Sequence, residues 1–71
     1  FLTLVKPQFE APREDVGEGG VVRDQSVRDA AIARVREAFE GSGLAVRGVC
    51  ESPIHGAKGN IEYLMLGVRE G

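Results

Sequence analysis

Short apolar blocks alternate along the chain with polar stretches rich in glycine and proline. Phe1, Leu2, Thr3, Leu4 and Val5 form an apolar, β-rich run without clear alternation, the pattern of a strand buried on both faces. Pro7 ends it, because proline has no N–H to give to a ladder. Residues 8–23 predict a long loop, since Pro12, Gly17, Gly19 and Gly20 interrupt any period. Loops of this length in compact domains are usually functional or disordered. From residue 24 to residue 41 the pattern changes. Val27, Ala30, Ala31, Val35, Ala38 and Phe39 recur at three- and four-residue steps and give one apolar helical stripe. Asp24 or Ser26 can cap its start, and Ser26 with Asp29 resembles a capping box. Gly41 and Gly43 supply the stop. Arg28, Arg34, Arg36, Glu37 and Glu40 lie mainly off the stripe and predict a solvated face.

Two more strands follow. Over residues 44–51, Leu44, Val46 and Cys50 fall on one side and Ala45, Arg47 and Val49 on the other. Residues 52–59 predict a loop. The run from Ile61 to Val68 is the strongest strand, with almost no polar face, and is expected at the centre of its sheet. The last two strands can pair antiparallel as a wide hairpin, and the helix can cover one face as a crossover. The fold class is thus α/β, in the order strand, loop, helix, strand, strand, with the last strand antiparallel and central. One sheet face is left bare.

Length and charge narrow the function classes. Seventy-one residues allow a single domain. A chain this short buries only roughly 60% of its unfolded surface, so its core is marginal. The apolar run opening the chain in mid-strand, together with the bare face, predicts a segment of a longer protein. Nine basic against eleven acidic residues give a net charge of −2, which excludes a strongly basic nucleic-acid arm but not a local basic patch. One cysteine excludes an internal disulfide, and His55 has no second soft ligand beside it, so no structural zinc or other metal site is expected. No apolar run approaches the ~20 residues that cross a bilayer. No signal-peptide pattern is visible, and the expected compartment is the cytoplasm.

Two polar residues sit where a buried strand would not want them. Lys6 lies at the C-terminal end of the first strand, and Glu62 lies near the start of the last. In open α/β sheets, sites gather at the carboxyl ends of the parallel strands. A last strand running antiparallel beside the first would bring Lys6 and Glu62 to that edge. A lysine held by a carboxylate can act on a substrate hydroxyl as a base or an orienting group. The same pair also reads as an ordinary salt bridge at a sheet edge. Other candidates are weaker. Gly17, Gly19 and Gly20 fit neither the dinucleotide fingerprint nor the P-loop pattern and read as a flexible loop. His55 reads as a surface residue and Cys50 as a small buried one. Arg13, Arg23 and Lys58 could touch phosphates or simply be solvated.

Whole phrases of the chain also match a known family. Leu4-Val5-Lys6-Pro7-Gln8-Phe9-Glu10 resembles the LVKPQFE phrase of the TlyA family. Those are bacterial S-adenosylmethionine-dependent ribosomal-RNA 2′-O-methyltransferases, also known as haemolysin A-like proteins. Gly19-Gly20-Val21-Val22-Arg23-Asp24 resembles the family's GGVVRD segment. Ser52-Pro53-Ile54 with Gly56, then Gly59-Asn60-Ile61-Glu62-Tyr63, resembles its SPI-G and GN-E-Y/F segments. The three phrases stand in order from residue 1 to about residue 68. One departure is Gln25, where family members often place proline.

The resemblance implies that residues 1–71 are the C-terminal part of an FtsJ-like, Rossmann-type methyltransferase domain: its fifth strand, the next helix and the closing hairpin. It implies S-adenosylmethionine as cofactor, with the cofactor loop and the first lysine and aspartate of a Lys-Asp-Lys-Glu set lying outside these residues. By motif, Lys6 matches the second lysine and Glu62 the glutamate. Lys6 would then address the ribose 2′-hydroxyl, and Glu62 would orient Lys6 or its neighbours. The partner implied is ribosomal RNA, and the isolated segment is expected to be inactive. Two other classes stand beside this one. A membrane-active haemolysin is disfavoured by a helix that carries both charge signs on its polar face and alanines on its apolar face. A non-enzymatic module would use the open strand edge and bare face for self-association.

Overall fold

The computed structural model describes residues 1–69. Three strands form one sheet: β1 (Leu2–Val5), β2 (Leu44–Glu51) and β3 (Tyr63–Arg69), in the order β1-β3-β2. The central β3 runs antiparallel to both neighbours, so β1 and β2 are parallel to each other. The central antiparallel last strand expected from its apolar run is therefore found, beginning at Tyr63 rather than Ile61.

Two helices accompany the sheet. Helix α1 (Pro7–Glu10) is a single turn and α2 (Gln25–Gly41) is the long one. The segment expected as a long loop is thus partly ordered, by α1 and by 3₁₀ turns at Arg13–Asp15 and Glu18–Gly20. Pro7 is the reason. Proline stops a strand but suits the first position of a helix, where its missing N–H has no partner to lose. Lys6 stays extended before it, and the Lys6 carbonyl accepts from the N–H groups of Phe9 and Glu10 at 2.9 and 3.1 Å.

Helix α2 starts where sequence placed it. The Asp24 carboxylate accepts from the Ser26 N–H at 2.9 Å and the Ser26 hydroxyl at 2.8 Å. Asp24 is therefore the cap, and Ser26 with Asp29 forms no capping box. Those hydrogen bonds from Ser26, helped slightly by the charge of Arg28, hold the Asp24 carboxyl below its ordinary value of 3.8. A lowered folded-state value gives stability that is present above the ordinary value and lost as pH falls through the folded one. Protection of the Ser26 and Val27 amides against exchange should therefore fall selectively below about pH 4. In Asp24→Ala that pH dependence should vanish; its persistence would assign the effect elsewhere. At the other end Ser42 closes the helix, and Gly43, at φ 85°, takes the left-handed turn into β2.

Ala31, Val5, Tyr63 and Met65 form the core, with Ile32, Val35, Phe39, Val46, Val49 and Ile61 packed around them. Ala30 and Ala38 of the expected stripe face solvent, and Ile32 replaces them. Arg28 and Arg34 are not merely solvated: Arg28 donates to the Val22 carbonyl at 3.2 Å and Arg34 to the Glu10 carbonyl at 2.7 Å. The register of β2 slips by one residue between Val46 and Gly48. Val46 therefore faces Gly67, Val49 faces Met65, and both reach the core side that simple alternation had put on opposite faces. Gly67 must lack a side chain, because a β-carbon there would lie 2.5 Å from the Phe39 ring.

The other sheet face carries Leu2, Leu4, Leu66 and Val68, all exposed, with Leu2 at 68%. The expectation that β1 is buried on both faces fails for that reason: α2 covers one face and nothing within the described residues covers the other. Cys50, expected buried, is exposed on this same side, opposite Leu64.

Candidate active site

The site is built where β1 ends and β3 begins. The β1–β3 register pairs Val5 with Tyr63 and, continued by one residue, sets Lys6 opposite Glu62. The topology argument thus brings the two candidates to one edge, but the side chains take different partners. Lys6 is half-buried at the entrance to α1, and its Nζ lies 5.8 Å from the centroid of the Phe9 ring. Glu62 is only 5% exposed, and its Oε2 accepts from Gln8 Nε2 at 2.8 Å. The carboxylate is therefore anchored by the amide two residues after Lys6.

Glycine makes room for that carboxylate. At Gly56 a β-carbon would collide with the Glu62 carboxyl group. The Gly56 backbone itself is ordinary, at φ −77°, so space rather than torsion demands the glycine. Gly56→Ala should push the Glu62 carboxylate off Gln8, at a stability cost of about 1–3 kcal/mol. A crystal structure of the variant checks it, and an intact Gln8–Glu62 hydrogen bond would refute it.

Asn60 ties the surrounding loops together. It is 2% exposed, and its Oδ1 accepts from the Val22 N–H at 2.9 Å. Its Nδ2 donates to the Gly20 carbonyl at 2.9 Å and the Ala57 carbonyl at 3.0 Å. The loop of residues 17–22 is thereby fastened to the loop of residues 52–60. Both loops turn through left-handed positions, at Gly19, Gly20, Lys58 and Gly59. Ser52 is buried as well. Its N–H donates to the Glu62 carbonyl at 2.8 Å, and its hydroxyl donates to the Ile54 carbonyl at 3.0 Å.

The basic candidates separate into two sets. Arg23 and Lys58 are exposed on the two loops that Asn60 joins, whereas Arg13 is exposed on its own 3₁₀ turn. His55 is exposed, as its loop position suggested. Among the described residues no cluster of three metal-ligating side chains forms, and no enclosed pocket. Gln8, Gly56 and Asn60 were not singled out as site residues from sequence. Each lies within a phrase that carries the family resemblance, but only the fold reveals what it touches.

Comparison with known proteins finds relatives of the chain as a whole. A family model described as FtsJ-like methyltransferase matches residues 2–69. Hemolysin A of Brachyspira hyodysenteriae is 45% identical over 64 residues, covering 90% of this chain and 27% of that protein. The 16S/23S rRNA (cytidine-2′-O)-methyltransferase TlyA of Mycobacterium tuberculosis H37Rv is 42% identical over 65 residues, covering 92% of this chain and 24% of that protein. A solved Lactococcus lactis structure carrying the hemolysin label superposes with a TM-score of 0.85 at 44% identity, covering 90% of this chain and 30% of that one. Another so labelled, from Streptococcus thermophilus, gives 0.87 at 41% identity, covering 97% and 25%. The chain spans about a quarter of the length of these relatives.

Proposed function

Because the chain belongs to the FtsJ-like methyltransferase family, we propose that residues 1–71 are the C-terminal part of a catalytic domain that methylates ribose 2′-hydroxyls of ribosomal RNA. The observation that carries this reading is the shared edge of β1 and β3, where Lys6 follows the last rung of β1 and a buried, glycine-seated Glu62 precedes the first rung of β3. A sugar hydroxyl is a poor nucleophile, and a group that orients it and manages its proton is what the reaction asks of the protein. Lys6 is the side chain for that task, with Glu62 fixing the surroundings of Lys6. Arg23 and Lys58 would meet RNA phosphates, and Arg13 would add a contact farther along the loop.

S-adenosylmethionine is the methyl donor this reading requires. By the family resemblance, the side chains that hold its adenosyl group lie outside these residues. This chain's own share is the hydroxyl side of the reaction, and alone it should be inactive.

The test is transfer of labelled methyl from S-adenosylmethionine to ribosomal RNA by the whole protein. Label should appear on ribose, in dinucleotides that resist alkali. Label on bases, or none, would overturn the reading. The hemolysin label of several relatives motivates a second assay, dye leakage from anionic vesicles. No leakage is expected, because the polar face of α2 carries both charge signs, unlike the lysine-rich face of an interfacial helix.

Produced alone, the chain should self-associate. The face bearing Leu2, Leu4, Leu66 and Val68 is apolar, and β1 and β2 are sheet edges. Sedimentation should show weight-average mass rising with concentration; a monomer at all concentrations would refute this.

A further inference from the structure

Gln8 occupies a position that an amide has no independent reason to hold. Its Nε2 reaches across 54 residues of sequence to the Glu62 carboxylate at 2.8 Å. Its Oε1 is buried and accepts no hydrogen bond among the described residues. The orientation of the amide is fixed by charge: turned over, its oxygen would face a carboxylate oxygen, acceptor against acceptor. One end of the side chain is thus satisfied by Glu62 alone while the other is left open. Buried acceptors are rarely left so. The backbone around Gln8 supports the same conclusion. Pro7 at the first position of α1 presets the turn, and the Lys6 carbonyl closes it by accepting from Phe9 and Glu10. Lys6 and Gln8 therefore leave one rigid turn, one toward the Phe9 ring and the other toward Glu62.

We infer that Gln8 is a positioning residue for the methyl transfer proposed above, holding the Glu62 carboxylate in place beside Lys6 through its amide N–H. The inference rests on that functional reading and adds a residue to it. Gly56 sets the space for the carboxylate on one side, and Gln8 sets its direction on the other. The amide does not ionise at neutral pH and so is no acid or base, and its effect on rate passes through Glu62.

A double-mutant cycle in the whole protein tests this. Gln8→Leu keeps the bulk and removes the donor. It should lower kcat roughly tenfold or more, since small misplacements at a reacting centre are costly. KM for RNA and for S-adenosylmethionine should stay within about twofold. In a Glu62→Gln background the same change should cost almost nothing further, because the residue it acts through is already altered. Losses that multiply, or wild-type kcat in Gln8→Leu, would overturn the proposal. Should Gln8→Leu fail to fold, Gln8→Asn completes the cycle: it keeps the amide but falls one methylene short, and the same loss is expected. A readout independent of activity separates failure of this inference from failure of the functional reading. In the whole protein, Glu62→Gln should shift the Gln8 side-chain amide resonances, and resonances that stay put would overturn the proposal even if the wild-type enzyme methylates. A wild-type protein that does not methylate, with the resonances shifted, would remove the catalytic role and overturn the proposal from the other side.

Discussion

Lys6→Ala in the whole protein is expected to lower single-turnover methyl transfer by about 10²–10⁴-fold, the usual contribution of a positioned proton-transfer group. Binding of S-adenosylmethionine, measured by calorimetry, should be little changed, because the role proposed for Lys6 is on the hydroxyl side of the reaction. Lys6 is the residue between the last rung of β1 and the first turn of α1, so its Cα is held by a ladder on one side and a proline-started helix on the other. Its stem is half-buried and its ammonium rests 5.8 Å from the Phe9 ring, a contact worth about 0.5–1 kcal/mol at a partly exposed site. That is too weak to lock the ammonium and strong enough to keep it near the edge. Lys6→Arg separates two roles. A guanidinium keeps the positive charge but does not give up its proton. Recovery in Lys6→Arg would mean that charge and orientation suffice, whereas failure of both variants means that the amine itself handles the hydroxyl proton. Turnover in Lys6→Ala equal to wild type would remove Lys6 from the reaction.

What could be read in the sequence was whatever depends on near neighbours. The helix of residues 24–41 shows its period and cap, and the last strand shows its uniform apolarity, so both stand within two residues of their expected bounds. Central placement of that strand followed from having no polar face to give to water. The edge that holds Lys6 and Glu62 followed from strand direction alone. The misses are all matters of long-range geometry or of one residue's displacement. Pro7 was legible as a stop, but its second role as a helix start depends on the Lys6 carbonyl accepting from Phe9 and Glu10. The slip between Val46 and Gly48 reverses the sidedness of half a strand, and nothing in the alternation of residues 44–51 announces it. Cys50 was judged by its strand, whereas its exposure is decided by an uncovered face. Gln8 and Glu62 are 54 residues apart, and Asn60 and Val22 are 38 apart, so no local pattern could pair them.

Asn60→Ala should destabilise the fold by an amount large for a chain of this size. The side chain satisfies three backbone groups on two loops: the Val22 N–H and the carbonyls of Gly20 and Ala57. Val22 is itself buried, so its N–H has no water to turn to once the amide is gone. A buried donor left unmet costs about 1–3 kcal/mol, and each ordinary hydrogen bond lost adds about 1 kcal/mol. The carbonyls lie nearer solvent and recover part of that, which leaves a net loss on the order of 3 kcal/mol. For a chain of this size that lowers the thermal midpoint by about 10–20 °C. Asn60→Asp should recover part of it, since a carboxylate can still accept from Val22 but repels the two carbonyls that the amide had served. Amide exchange locates the damage. The Val22 N–H should lose its protection while Met65, in the centre of the sheet, keeps most of its own. A protected Val22 amide in Asn60→Ala would mean that another acceptor holds it, and the loops would then be independent of Asn60. The expected result has a consequence for the site. Asn60 stands two residues before Glu62, and its carbonyl accepts from the Gly56 N–H at 2.8 Å. Gly56 is the residue that leaves room for the Glu62 carboxylate, so loosening this loop loosens the seat of the carboxylate with it. The buried amide therefore connects the stability of the two loops to the geometry of the edge where Lys6 and Glu62 lie.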